Sequence, residues 1–195
     1  MIRKRIRLTG RIQGVGCRPF LHNAASRLKL TGFVRNDHQG VMVEVQGPSG
    51  RVERFVRRLQ DPSVLPPLMR IASIQVDDVP LVRDDREFVI EASATAAAGE
   101  IAQVSVDTAV CRDCLAEMRD PKDRRHRYAF TNCTQCGPRY TIIRQVPYDR
   151  PSTTMAAFEM CPACRAEYTN PADRRFHAQP VACPECGPRF WSVSY

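Results

Sequence analysis

Eight of the nine cysteines fall between residues 111 and 186, in four Cys-x-x-Cys knuckles arranged as two copies of one pattern. Cys111 and Cys114 are followed, after eighteen residues, by Cys133 and Cys136; fifty residues on, Cys161, Cys164, Cys183 and Cys186 repeat the spacing. The repeat reaches beyond the cysteines. Pro121-x-Asp123-Arg124-Arg125 matches Pro171-x-Asp173-Arg174-Arg175, and Cys136-Gly137-Pro138-Arg139 matches Cys186-Gly187-Pro188-Arg189. Two thiolates at this spacing reach one ion from a tight knuckle, and zinc takes four such donors in a tetrahedron. Each segment is too short to bury a sufficient core alone, so a bound ion must supply much of its folding energy. Four knuckles can pair in three ways. Because each repeat contains a full donor set, the expectation is one site from Cys111, Cys114, Cys133 and Cys136 and another from Cys161, Cys164, Cys183 and Cys186. Two structural Zn2+ ions then leave no open coordination position for catalysis. His126 and His177 are expected in structural or surface roles, since both donor sets are already full.

The first 110 residues hold only Cys17 and no apolar signal or membrane-spanning run. Paired cysteines in such a chain point to a reducing cytoplasm and to metal rather than disulfides. The composition changes near residue 92. The expected organisation is a domain over 1–91, a small-residue linker over 92–106 with a short strand at Val104 and Val106, and a double-finger domain over 107–195. A net charge of +8 favours anionic partners without choosing among them.

Over 1–91 the apolar periods give the order β-α-β-β-α-β with a short final strand. Ile6 and Leu8 mark the first strand. Phe20, Leu21, Ala24, Ala25 and Leu28 mark a helix face. Thr31 to Asn36 and the alternating Val41, Val43 and Val45 form a hairpin pair, with His38 in its turn. Val52, Phe55, Val56 and Leu59 face inward on a second helix whose arginines 51, 54, 57 and 58 face water. Ile71, Ile74 and Val76, then Phe88 to Ile90, complete the set. The fold class is α+β: two helices on an antiparallel sheet, the ferredoxin-like split arrangement, followed by a small zinc-stabilised domain.

Between the first strand and first helix runs Gly10-Arg11-Ile12-Gln13-Gly14-Val15-Gly16-Cys17-Arg18-Pro19. Pro19 suits the first helical turn. The free N–H groups and positive dipole end there can hold an anion, and Arg18 can grip two phosphate oxygens at once. An alternative is a turn that needs glycine for its conformation alone. Gly10 to Arg18 resembles the acylphosphatase signature, with Cys17 where an aromatic is usual; Gly32-Phe33-Val34-Arg35-Asn36 is a second match. The resemblance implies a phosphate-binding loop of Gln13, Gly14, Val15, Gly16, Cys17 and Arg18, with Arg18 and Asn36 as catalytic pair and Asn36 positioning water. Cys17 is expected as a small buried apolar residue and His22 on the helix surface.

Taken with the doubled cysteine module, the chain resembles the N-terminal part of the HypF-type carbamoyltransferases, which mature nickel–iron hydrogenases. Phe130-Thr131-Asn132-Cys133, Pro147-Tyr148-Asp149-Arg150-Pro151 and Asp173 to Pro180 carry that likeness. It implies carbamoyl phosphate, or another acyl phosphate, as substrate. Further domains would use ATP and deliver the carbamoyl group to a cysteine of a HypE-type partner. The chain stops nine residues after Cys186, so it is expected to be a fragment that hydrolyses without completing the transfer. On this reading residues 100–195 are a scaffold with no chemistry of their own. The competing expectation is a nucleic-acid-binding zinc-finger protein, motivated by the charge and by Arg124-Arg125 and Arg174-Arg175. The fingers lack the long basic helix and aromatic platform that would serve it.

Overall fold

The structure, a computed structural model, describes residues 1–37, 39–93 and 107–191. His38 and the expected strand at Val104 and Val106 lie outside these residues, as does most of the expected linker.

β1 (Ile2–Arg11) alternates strictly, with Ile6 and Leu8 on the buried side and Arg3, Arg5 and Arg7 on the other. It lies inside a five-stranded sheet with β2 (Thr31–Asp37), β3 (Gly40–Gly47), β4 (Arg70–Asp78) and β5 (Phe88–Ile90) in the order β4-β1-β3-β2-β5. Ile6 pairs with Val43, which pairs in turn with Val34, so one apolar row crosses three strands. α1 (Cys17–Arg27) and α2 (Ser49–Leu59) cover that row. α2 buries Val52, Phe55 and Leu59 and leaves Val56 half-buried, with all four arginines outside. Each fully buried aliphatic side chain contributes about 1.5–3 kcal/mol.

β1 to β4 pair antiparallel as expected, and the short final strand β5 adds a parallel pairing to β2. The reason lies in the connection from β4. Residues 79–87 cross the polar face of the sheet: Gln46 bonds Val82 through both its donor and its acceptor, and Arg3 pairs with Asp85. The chain thus leaves one edge strand, crosses the face opposite the helices and enters the far edge in the same direction as β2. That crossing buries Arg3 and Glu44. Burial alone would raise the Glu44 pKa, but hydrogen bonds from Arg5 and Arg3 outweigh it and hold the carboxyl below its usual value.

In the second half, α3 (Arg112–Arg119) and α4 (Pro162–Thr169) each open with a cysteine knuckle. In both repeats the aspartate of the Asp-Arg-Arg triplet accepts from a backbone N–H two residues on, at 2.7 Å, and shapes the turn that launches the arginines. The second arginine of each triplet is buried, while Arg124 stays exposed and Arg174 half-buried. Arg125 donates to Glu167 and to the Ala182 carbonyl of the second finger, and Arg175 donates to Glu117 and to the Asn132 carbonyl of the first. Arg124 lies 3.3 Å from Cys164 Sγ, and Arg174 lies 3.0 Å from Cys114 Sγ. The fingers exchange cations, each placing a guanidinium on the other's thiols. Burial would raise Glu117, yet the bonds from Arg175 and Arg174 prevail and pull its carboxyl down to about 2. The arginine pairs that motivated a nucleic-acid reading are therefore engaged by Glu167 and Glu117.

Arg175→Ala should strand the Asn132 carbonyl and leave Glu117 to Arg174. A loss of about 3 kcal/mol is expected, at the low end for a broken buried pair because Glu117 is partly solvated. Arg125→Ala should behave alike, and denaturant unfolding of each variant measures both.

Candidate active site

β1 ends at Arg11 and α1 begins at Cys17, so residues 12–16 must turn the chain through a right angle of function as well as direction: strand pairing stops and helix N–H groups begin. Gly14 (φ 71°) and Gly16 (φ 80°) take the left-handed conformation that side-chain-bearing residues avoid. Gly16 is the helix N-cap and offers no side chain, so the amides of Cys17 and Arg18 are left without intrahelical partners. Cys17 is buried, and burial pushes its thiol up to about 12, against the opposing charge of Arg18.

Arg18 leaves the first helical turn and meets Asn36 at the end of β2, both buried. With its carboxamide oxygen toward the guanidinium, Asn36 accepts from Arg18 Nε and Nη2, each at 3.3 Å. Arg18 Nη2 also donates to Asp149 Oδ1 at 2.5 Å, and Nη1 lies 3.4 Å from Ser93 Oγ. Gln13 is buried too, but its amide is spent on backbone: it donates to the carbonyls of Asp37 and Gly40 and accepts from the Tyr148 N–H at 3.4 Å. Val15 is fully buried in the core.

The loop is only partly open to water, with Gly14 and Gly16 half-buried. A Cβ added at Gly14 would stand 2.8 Å from Pro138 and 3.0 Å from the Tyr148 ring; one at Gly16 would stand 3.2 Å from Thr134. The first finger is seated on the loop. Between them lies a cavity of about 20 Å³ lined by Gly14, Gly16, Arg18, Asn36, Asn132 and Thr134, with His177 and Gln179 closing it from the second finger. Arg18, His177 and Gln179 also border a wider cleft that contains Asp149. Residues of both fingers wall the cavity that Arg18 and Asn36 occupy.

His177 stands between the rings of Tyr168 and Phe176, and burial pushes its pKa down to about 4, aided by the charge of Arg18. It is a neutral wall residue. His22 is not simply on the surface, since it packs edge-on between Phe88 and Phe176 at the seam of the two halves. Sequence reasoning missed Asp149, Gln179, Thr134 and Asn132 as site residues. Their signal was positional: Asp149 lies in Pro147–Pro151, between the repeats and outside their shared pattern.

The eight cysteines gather as expected. Cys111, Cys114, Cys133 and Cys136 form one group and Cys161, Cys164, Cys183 and Cys186 the other, with the sulfurs of each within 4.8 Å of one another. Measured Sγ–Sγ separations are 3.7 and 3.8 Å in both groups. A tetrahedron with metal–sulfur bonds of about 2.3 Å sets its sulfurs about 3.8 Å apart, whereas a disulfide needs about 2.05 Å. Both groups are compatible with zinc.

The acylphosphatase family model matches residues 4–90, and the HypF finger model matches 110–143 and 160–193. The carbamoyltransferase HypF of Rhodobacter capsulatus is 52% identical over 156 residues, 80% of this chain and 20% of that protein. An acylphosphatase of Chlorobaculum tepidum is 38% identical over 93 residues, 46% of this chain and 98% of that protein. A crystal structure of full-length HypF in a phosphate- and nucleotide-bound form superposes with a TM-score of 0.89 at 47% identity, over 96% of this chain and 24% of that one. The chain spans about a fifth of the length of the curated HypF relatives it matches.

Asp149 sets a carboxylate beside the cation that an anion would seek. Asp149→Asn keeps the shape and removes the charge, so inorganic phosphate should bind about tenfold tighter. Isothermal titration measures this, and weaker binding would instead make the carboxylate a support for Arg18.

Proposed function

Because the chain belongs to the acylphosphatase family over its first domain, and to the HypF carbamoyltransferases in the region joining that domain to two fingers, we propose that it hydrolyses carbamoyl phosphate, or a related acyl phosphate. The observation that carries this reading is the convergence of the loop, Arg18 and Asn36 on one enclosed cavity. A mixed anhydride is already activated, so positioning and charge neutralisation supply most of the catalysis.

The amides at the mouth of α1 and the guanidinium of Arg18 hold the phosphoryl oxygens. Three of the five Arg18 N–H groups serve Asn36 and Asp149, and a fourth lies near Ser93, so a bound phosphoryl group gains Arg18 by displacing the carboxylate or the hydroxyl. With its oxygen turned to Arg18, Asn36 keeps its NH2 free to donate to one lone pair of a water. The other lone pair attacks phosphorus. The bond from phosphorus to the acyl oxygen breaks, its electron pair leaves with the carbamate, and the water's proton passes to a substrate oxygen because the carboxamide has no useful pKa.

Zinc fits both cysteine groups and would be structural there, since four thiolates fill each tetrahedron. Apolar burial around them is slight: among the described residues, the fully apolar side chains buried with the second group are Ala178 and Val181. In the same reading ATP-using domains outside this chain convert the product to a carbamoyl adenylate and pass it to a HypE-type partner, in the service of hydrogenase maturation. A cytoplasmic setting suits eight free cysteines poised for metal. Among the described residues no helix is long and apolar enough to cross a membrane.

Phosphate release from carbamoyl phosphate tests the core of the proposal. Arg18→Ala and Asn36→Ala should each lower kcat/KM at least a hundredfold, comparable to removing a preorganised electrostatic group; equal rates in wild type and variants would end it. Elemental analysis should find two zinc ions per chain. Chelation should unfold residues 107–191, seen by hydrogen exchange, and should lower hydrolysis as well, because Thr134 and Gln179, which wall the cavity, leave it with the fingers.

A further inference from the structure

Building on the hydrolase reading, we propose that Asn132, on the first finger, reads the acyl end of the substrate by accepting a hydrogen bond from the carbamoyl NH2 at its Oδ1. Asn132 is 3% exposed and lines the cavity that Gly14, Gly16, Arg18 and Asn36 share. Its amide orientation is fixed by one bond, Nδ2 donating to the Gly137 carbonyl at 3.3 Å. Its backbone carbonyl is fixed by another, accepting from Arg175 Nε at 3.0 Å. What remains is Oδ1, a buried acceptor with no partner among the described residues.

Such an atom costs about 1–3 kcal/mol unless something donates to it. Two other polar side chains on the finger side are already engaged. Thr134 donates its hydroxyl to the Arg174 carbonyl. Gln179 donates to the His177 carbonyl and accepts from Arg150 and Tyr168. The cavity therefore presents a cation and free amides on the loop side, and on the finger side the unpaired Asn132 acceptor beside the neutral imidazole of His177. The cavity as it stands holds about one water, so a phosphoryl group seated on the loop opens it toward the cleft that Arg18 and His177 also border, with its attached atoms facing that wall.

A substrate that satisfies both sides carries a phosphate and, two bonds beyond the bridging oxygen, an N–H. Carbamoyl phosphate has this donor. Acetyl phosphate has a methyl group in its place, which would leave Oδ1 buried and unpaired. A site built to bond an N–H rejects the analogue lacking it for that reason. The finger thus supplies selectivity for the acyl group, which the phosphate loop does not read.

The test uses the full zinc-loaded chain and two stable probes, carbamoylphosphonate and acetylphosphonate, with inorganic phosphate as reference. Titration calorimetry of the wild type should give about tenfold tighter binding of the carbamoyl probe, the size of one neutral hydrogen bond. Asn132→Ala should erase that ratio while phosphate affinity stays within about twofold, and the ratio of kcat/KM for carbamoyl and acetyl phosphate should fall in parallel. Equal affinity for the two probes in the wild type overturns the proposal without recourse to the variant, and assigns Oδ1 to an ordered water. A ratio that survives Asn132→Ala overturns it too. Failure of the wild type to bind phosphate at all would instead sink the hydrolase reading on which it rests.

Discussion

The guanidinium of Arg18 is held by two halves of the chain at once, and the organisation of the site follows from that. Asn36 approaches it from the sheet and Asp149 from the segment between the fingers, 131 residues further along the chain than Arg18. A buried guanidinium is stable only when its donors are matched and its charge is answered. One carboxamide and one carboxylate meet that demand here and, in doing so, bring the fingers against the glycine loop. The close seating of Pro138, Tyr148 and Thr134 on Gly14 and Gly16 is the steric side of the same contact.

The fingers answer a second electrostatic problem in a similar way. Two four-cysteine groups concentrate negative charge once their thiols ionise around a metal. The repeat sends Arg124 to Cys164 and Arg174 to Cys114, so that each group is neutralised in part by the other finger. Arg125 and Arg175 extend the exchange to Glu167 and Glu117. Because the same residues act reciprocally, the two fingers are tied to each other, and together they wall the cavity beside Arg18.

Much of this was legible in the residues. Strict alternation along β1 and β3, the inward stripe of α2 and the cysteine spacing each impose a local geometry that tertiary packing had no reason to override. β5 was legible as a strand but not in its direction, since direction depended on Gln46 and Arg3 capturing the 79–87 crossover. The paired arginines were misleading for a similar reason. A charge cluster looks solvated until its partners are known, and Glu117 and Glu167 lie on the opposite finger from the arginines they serve. His22 likewise looked like a surface residue until Phe88 and Phe176 closed on it.

By itself the sequence determined what depends on nearest neighbours: the strand and helix order, the glycine bend at a helix mouth, and two complete donor sets for metal. These are set by backbone conformation and side-chain period, which act over a few residues. The tertiary structure alone decided which distant groups share a cavity. Asp149, Thr134, Asn132 and His177 carry no local mark of a site, because their chemistry comes from desolvation and from partners brought together by packing. Burial lowers the imidazole of His177, answers Arg18 with a carboxylate and leaves one acceptor of Asn132 unpaired, and burial is a property of the folded whole.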